Sequence, residues 1–311
     1  MMSTPSFRLD EMGEDRLVER LTRSLPTNSD VVVGPGDDCA VVERDAISWT
    51  LLKTDCVLER VHFEPSREPS YLERVGWKAL ARAVSDIAAM GGVPEHALVT
   101  VALPRAYPVA GVEALYEGLK RCARRYEVAI VGGETARSPG GVFISVALTG
   151  RVERERCILR SGGKPGDRIY VTGELGGSLG GKHLDFTPRL EEARWLTKHF
   201  TLHAMMDLSD GPGADLPRLA RQSRCGFELH GSLPAAPGIS QEGAWRDGED
   251  FELLFTLAPQ EAARLEKAWP ERFASLRLTC IGQLIGEGSG HAAARTSTHG
   301  FDHFAPSGRD V

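Results

Sequence analysis

The sequence predicts a two-domain mixed α/β protein. Three observations carry that expectation. The length of 311 residues leaves room for two cores of ordinary size. Strand-like and helix-like apolar patterns follow one another along the whole chain. A charged stretch, RVERERCILR at 151–160, then breaks the strand rhythm before it restarts. The expected division is 1–150 and 151–311, the first half a mixed sheet with flanking helices and the second an α/β sandwich.

Composition narrows the function classes. Charged residues at 26% and hydrophobic residues at 41% are ordinary for a soluble globular protein. The net charge of −6 leaves no basic footprint, so nucleic acid is not an expected partner. No apolar run approaches the roughly 20 residues that span a bilayer, so no membrane partner is expected. The first residues lack the basic-then-apolar pattern of a secretion signal, which makes a cytoplasmic location the expectation. Six cysteines, at 39, 56, 122, 157, 225 and 280, are scattered without a CxxC, which argues against a zinc site and a disulfide framework. His199 and His203 have the spacing of a metal pair on a helix, but Thr201 and a strand start between them spoil it.

In order, the chain opens with an amphipathic helix from Glu14 to Arg23, through Leu17, Val18 and Leu21. Val31 to Val33 then runs into GPGDDCAVV, where a glycine turn presents Asp37 and Asp38 together. A strand from Ile47 to Lys53 ends at Thr54 and Asp55. The stretch Val75 to Pro94 reads as a helix with a buried stripe of Trp77, Leu80, Ala81, Val84, Ile87 and Ala88, stopped by Gly91, Gly92 and Pro94. Asp86 lies beside that stripe among alanines, an arrangement that lets something large approach the helix.

A strand from Leu98 to Leu103, a helix from Val109 to Arg125 and a strand from Val128 to Val131 follow. The last ends in GGET, which sets Glu134 after two glycines, and Val142 to Leu148 is expected beside it as an antiparallel neighbour. In the second half, Arg168 to Thr172 is a strand, and GELGGSLGG lacks the spacing of a phosphate loop, so it is read as a strand-to-helix turn. A helix around Leu190 to His199 precedes MMDLSDG, which holds Asp207, Ser209 and Asp210. Helices from Ala214 to Gln222 and from Pro259 to Lys267, and strands at Phe227 to His230, after the acidic turn 247–250 and at Leu278 to Leu284, complete the pattern.

Gathered together, Asp37, Asp38, Asp55, Asp86, Glu134, Asp207 and Asp210 form an oxygen-rich set drawn from both halves. Hard oxygen ligands without cysteine or paired histidine point to Mg²⁺. So many carboxylates in one cleft would need several cations, as transfer of polyphosphate charge does, and ATP-dependent phosphoryl transfer is the reaction class that follows.

GDDCAVV, KTDCVLERVHF, SDIAAMGGVP, IVGGET, RSGGKPGDRIYVTG, DLSDG, GEDFELLFT and GFDHF occur in this order, and from about residue 30 onward the chain resembles the thiamine-monophosphate kinases. These belong to a wider superfamily with aminoimidazole ribonucleotide synthetase and selenophosphate synthetase. The resemblance implies a homodimer in which the first sheet pairs with its copy. It implies Mg²⁺ ligands at Asp37, Thr54, Asp55, Asp86, Glu134, Asp207 and Asp210. It also implies nucleotide contacts near Tyr116, Gly133, Arg160 and Ser209, and contacts to thiamine monophosphate from His62, Glu249 and Phe301. The implied reaction is direct in-line transfer of the ATP γ-phosphoryl to thiamine monophosphate, giving thiamine diphosphate without a general base.

The chain departs from the family pattern at a few positions. Glu134 stands where Asp is usual, Lys53 where a small hydroxyl residue is usual, and Pro212 where Leu is common. The segments 182–203 and 234–245 look shortened. The Lys53 ammonium could replace one cation. Two alternatives stay open at this level: another acceptor for the same ATP chemistry, and a non-catalytic nucleotide-binding homologue.

Overall fold

Among the residues described below, two β-sheets meet across a long buried helix. The computed structural model describes residues 8–288, 300, 301, 303 and 304. It begins with α1 (Leu9–Met12), α2 (Glu14–Thr22), β1 (Val31–Val33), β2 (Ala40–Glu43) and β3 (Ser48–Leu58). Next come α3 (Pro69–Ala89), β4 (Val93–Leu103), α4 (Val109–Arg125), β5 (Ala129–Arg137) and β6 (Phe143–Glu153). The second half holds β7 (Arg168–Thr172), α5 (Lys182–Asp185), α6 (Leu190–His199), β8 (Leu202–Asp207), α7 (Pro212–Gln222) and β9 (Cys225–Leu229). It closes with α8 (Gln241–Arg246), β10 (Leu253–Leu257), α9 (Pro259–Arg272) and β11 (Leu278–Gly286). Among the described residues, no helix is long and apolar enough to cross a membrane.

The first sheet is mixed, in the order β1-β2-β3-β6-β4-β5, with β4 and β5 parallel. The second is antiparallel, in the order β8-β10-β7-β11-β9. Alternation along its strands splits its side chains between two cores. Tyr170, Met205 and Phe255 face α3, α6 and α9, whereas Val171, Met206 and Leu254 face α7 and α8. The mixed α/β plan with two sheets is thus the predicted one.

The long helix α3 organises the molecule. Pro69 starts it at a position where a missing N–H costs nothing, and Gly91, at φ +74°, ends it. Its apolar stripe packs on the first sheet through Leu80, Val84 and Ile87. Gly76 and Gly118 let α3 and α4 touch backbone to backbone; a Cβ on Gly118 would lie 1.8 Å from the Glu73 carbonyl oxygen. Ala88 and Ala89 pack against Tyr170, Leu196 and Met205 of the second core. What these two alanines admit is therefore the second sheet, where the sequence suggested open space above the helix.

Several sequence expectations are corrected here. The strand expected at Val142 to Leu148 is not the neighbour of β5: β6 inserts between β3 and β4, leaving β5 at the edge. The five residues 138–142 suffice to step over β4, since two inter-strand steps cover only about 10 Å. In that slot β6 satisfies the backbone groups of two strands at once. Asp55 lies inside β3 and not at its end, and Glu134 lies inside β5. β3 continues past Lys53 because β6 pairs with it along its whole length, from Ser48 opposite Glu153 to Leu58 opposite Phe143.

Candidate active site

Three carboxylates converge beneath the second sheet. Asp38 comes from the turn before β2, Asp86 from α3 and Asp207 from the end of β8, and their oxygens lie within 4.8 Å of one another. All three are buried. Burial and the neighbouring Asp38 push the Asp207 carboxyl up to about 7, against the lowering effect of the hydrogen bond from Ser85 Oγ at 2.5 Å. Asp38 Oδ1 accepts from the Arg160 guanidinium, whereas Asp38 Oδ2 is buried with no hydrogen-bond partner. A buried, oxygen-only donor set with an unsatisfied carboxylate oxygen fits a hard divalent cation such as Mg²⁺.

Charged groups from several elements surround the trio. Lys53 Nζ donates to Asp86 Oδ1 at 2.6 Å and lies 3.7 Å from Asp55 Oδ1. Burial works against the ammonium, but Asp86 and Asp55 outweigh it and hold the amine protonated. Burial likewise raises Asp55, and Lys53 and Arg82 more than offset it, keeping that carboxyl below its ordinary value. Asp37 accepts from the Arg160 backbone N–H at 3.0 Å, and burial with the adjacent Asp38 pushes it up to about 6. Asp210 pairs with Arg218, which also holds the buried Asp215 at 3.0 Å.

The expected acceptor residues also come together. His62 Nδ1 accepts from the Leu58 N–H at 3.1 Å, and its ring lies 5.4 Å from that of His303, which stands 4.8 Å edge-on to Phe301. Phe301 in turn donates its backbone N–H to the Asp210 carbonyl at 3.0 Å. Glu249 sits at φ +62°, a left-handed conformation unusual for a residue with a side chain. Its N–H donates to the Ser209 carbonyl at 2.6 Å, which links the two halves of the expected site. Asp302 of GFDHF lies outside the described residues.

Lys78, Arg82, Ser85, Asp215, Arg218 and His303 also take part and carry no signal of their own in the motifs above. Lys78 Nζ donates to the His62 carbonyl and to Glu249 Oε2, both at 2.6 Å, and Arg82 donates to the Cys56 carbonyl at 3.2 Å. Lys78, Arg82 and Asp86 recur at four-residue spacing along one face of α3. That ladder of charges among the apolar and small residues of 75–89 was the available signal for Lys78 and Arg82.

Other expected site residues do not join the carboxylate trio. β-strand alternation turns the Thr54 side chain to the face opposite Lys53 and Asp55, where its hydroxyl is 3.5 Å from Ser145 Oγ. The exposed Glu134 carboxylate accepts from the Thr135 N–H on the edge strand β5. Tyr116 packs, partly buried, against the first core. Gly133 is required by close approach to β4: a Cβ there would stand 1.8 Å from the Val99 carbonyl oxygen. In GELGGSLGG the amides of Gly176 and Gly177 donate to Asp250 and Asp247, so carboxylates of the chain itself satisfy them.

Residues 36–152 match the model of the AIR synthase related protein family, N-terminal domain. A thiamine-monophosphate kinase of Rhodopirellula baltica is 40% identical over 92% of this chain and 92% of its own length. One from Bacillus subtilis is 32% identical over 80% of this chain and 85% of its own. A solved structure, AaThiL complexed with AMPPCP and TMP, superimposes with a TM-score of 0.80 at 33% identity, covering 96% of this chain and all of that one. With a relative this similar over nearly its whole length, and a fold shared to the same extent, the chain belongs to the thiamine-monophosphate kinase family of enzymes.

Proposed function

We propose that the chain transfers the γ-phosphoryl group of ATP to the phosphate of thiamine monophosphate, yielding thiamine diphosphate and ADP. The observation that carries this reading is the convergence of Asp38, Asp86 and Asp207 from three separate elements, in a chain whose relatives are thiamine-monophosphate kinases. An acceptor phosphate, with a second pKa of about 6, is already largely anionic at neutral pH. The transfer is in line: the acceptor oxygen forms the new P–O bond as the bridge to ADP breaks, and no general base is needed. Mg²⁺, when bound, would screen the phosphate charges and so lower the barrier to their approach.

The residues of the chain hold and orient. Asp38, Asp86 and Asp207 would carry the divalent cation, with Asp37, Asp55 and Asp210 around them. Thr54 and Glu134 are proposed as ligands only from the family resemblance. Arg160, anchored on Asp37 and Asp38, together with Ser209, Gly133 and Tyr116, would border the nucleotide. His62, Glu249 and Phe301 would border the thiamine end. Division near residue 150 and a cytoplasmic setting complete the reading.

A homodimer belongs to it as well. The first sheet exposes Leu52, Leu98 and, on its edge strand, Val131 at 41, 49 and 59%. A second copy would cover these apolar side chains and the open edge of β5.

The assay is incubation with ATP, Mg²⁺ and either thiamine monophosphate or thiamine, with products resolved chromatographically. Thiamine diphosphate forming only from the monophosphate is the expected result. None above the protein-free blank would sink the assignment, and ADP formed with a different acceptor would redirect it.

A further inference from the structure

The three converging carboxylates are unequally compensated. Asp38 has the Arg160 guanidinium, and Asp207 has the Ser85 hydroxyl. Asp86 has an ammonium: Lys53 Nζ at 2.6 Å from Oδ1, with Asp55 Oδ1 at 3.7 Å on its other side. Alternation along β3 puts 51, 53, 55 and 57 on the face that meets α3, so the lysine side chain is delivered to the acids and does not wander there from the surface. Its head group thus touches one carboxylate and stands within ion-pair distance of a second. A lysine head is a compact point charge with three N–H donors. Unlike a dissolved ion, it cannot be diluted away.

We infer that Lys53 is a resident cation that takes the place of one divalent ion between Asp55 and Asp86, confining exchangeable divalent metal to the side of Asp38 and Asp207. This rests on the cation-binding reading of the trio given above. The unpartnered Asp38 Oδ2 marks the side left open for the exchangeable ion. The substitution carries a consequence: one position in the cluster contributes a single positive charge and no coordination site for a phosphate oxygen, at every metal concentration.

Mn²⁺ binding to the full chain tests this without reference to turnover. Bound Mn²⁺ per chain is counted by equilibrium dialysis with electron paramagnetic resonance for wild type, Lys53→Ser and Lys53→Arg. The expected result is one additional Mn²⁺ in Lys53→Ser and an unchanged count in Lys53→Arg. Equal, non-zero counts in wild type and Lys53→Ser would overturn the lysine proposal while leaving the metal reading intact. No bound Mn²⁺ in any of the three would overturn both. A measurement on wild type alone guards against a variant that does not fold: anomalous diffraction from Mn²⁺-soaked crystals. The proposal expects Nζ still on Asp86 with Mn²⁺ against Asp38 and Asp207, and a Mn²⁺ peak shared by Asp55 and Asp86 with the lysine turned away would refute it.

Discussion

Lys78 Nζ lies 2.6 Å from Glu249 Oε2, and no part of the lysine side chain reaches solvent. The pair fastens α3 to the turn before β10, and the same ammonium holds the His62 carbonyl. Burial lowers the Lys78 amine to about 8, with Glu249 pulling it back up. Lys78→Met leaves Glu249 without this partner, and removing one member of a buried pair costs roughly 3 kcal/mol. Urea unfolding should register that loss, and the KM for thiamine monophosphate should rise more than the KM for ATP.

His62 makes stability depend on pH in a set direction. Burial, helped by the nearby Arg82 and Lys78, lowers its ring to about 3 from an ordinary 6.5. Between those values the unfolded chain binds a proton that the folded protein refuses. The contribution is therefore complete above 6.5 and is lost as pH falls, by up to about 1.4 kcal/mol per pH unit. His62→Asn can keep an acceptor for the Leu58 N–H while removing the titration. From pH 6.5 down to about 5, wild type should lose about 2 kcal/mol more than the variant in urea titrations. Parallel curves would contradict this account.

Asp207 has the opposite sign. Its folded value of about 7 exceeds the ordinary 3.8, so without divalent ions the folded state holds the proton more tightly, and stability falls as pH rises through that interval. Asp207→Asn should consequently melt several degrees above metal-free wild type at pH above 7. Added Mg²⁺ should raise the Tm of wild type, since a ligand bound to the folded state stabilises it, and should leave the variant nearly unmoved. Its kcat/KM at limiting Mg²⁺ should drop by on the order of 10²-fold.

Val131→Lys tests the open sheet face. The residue is 59% exposed on the edge strand β5, where a lysine discourages strand and sheet pairing. Light scattering after size exclusion should show a dimer dissociation constant raised at least about tenfold, equal to about 1.4 kcal/mol. An unchanged, stable monomer in both proteins would remove the homodimer from the proposal.

Local pattern made much of this molecule readable from its sequence. The apolar stripe of α3 with its glycine stop, the two-sheet mixed plan and Pro212 opening α7 follow from short-range periodicity and residue chemistry. Strand order did not follow, because nothing within β5 or β6 states that β6 will lie between β3 and β4; that depends on which edges need a partner once the sheet assembles.

Side-chain pairing was hidden for the same reason. Lys53 meets Asp86 across 33 residues of chain, Ser85 meets Asp207 across 122, and Lys78 meets Glu249 across 171. The sequence by itself determined which chemical groups are available, an oxygen-rich set suited to magnesium and phosphates. Tertiary structure alone decided which of them converge: Asp38, Asp86 and Asp207 share one buried spot, while Thr54 and Glu134 turn away, since the face a strand residue takes depends on what packs against the sheet.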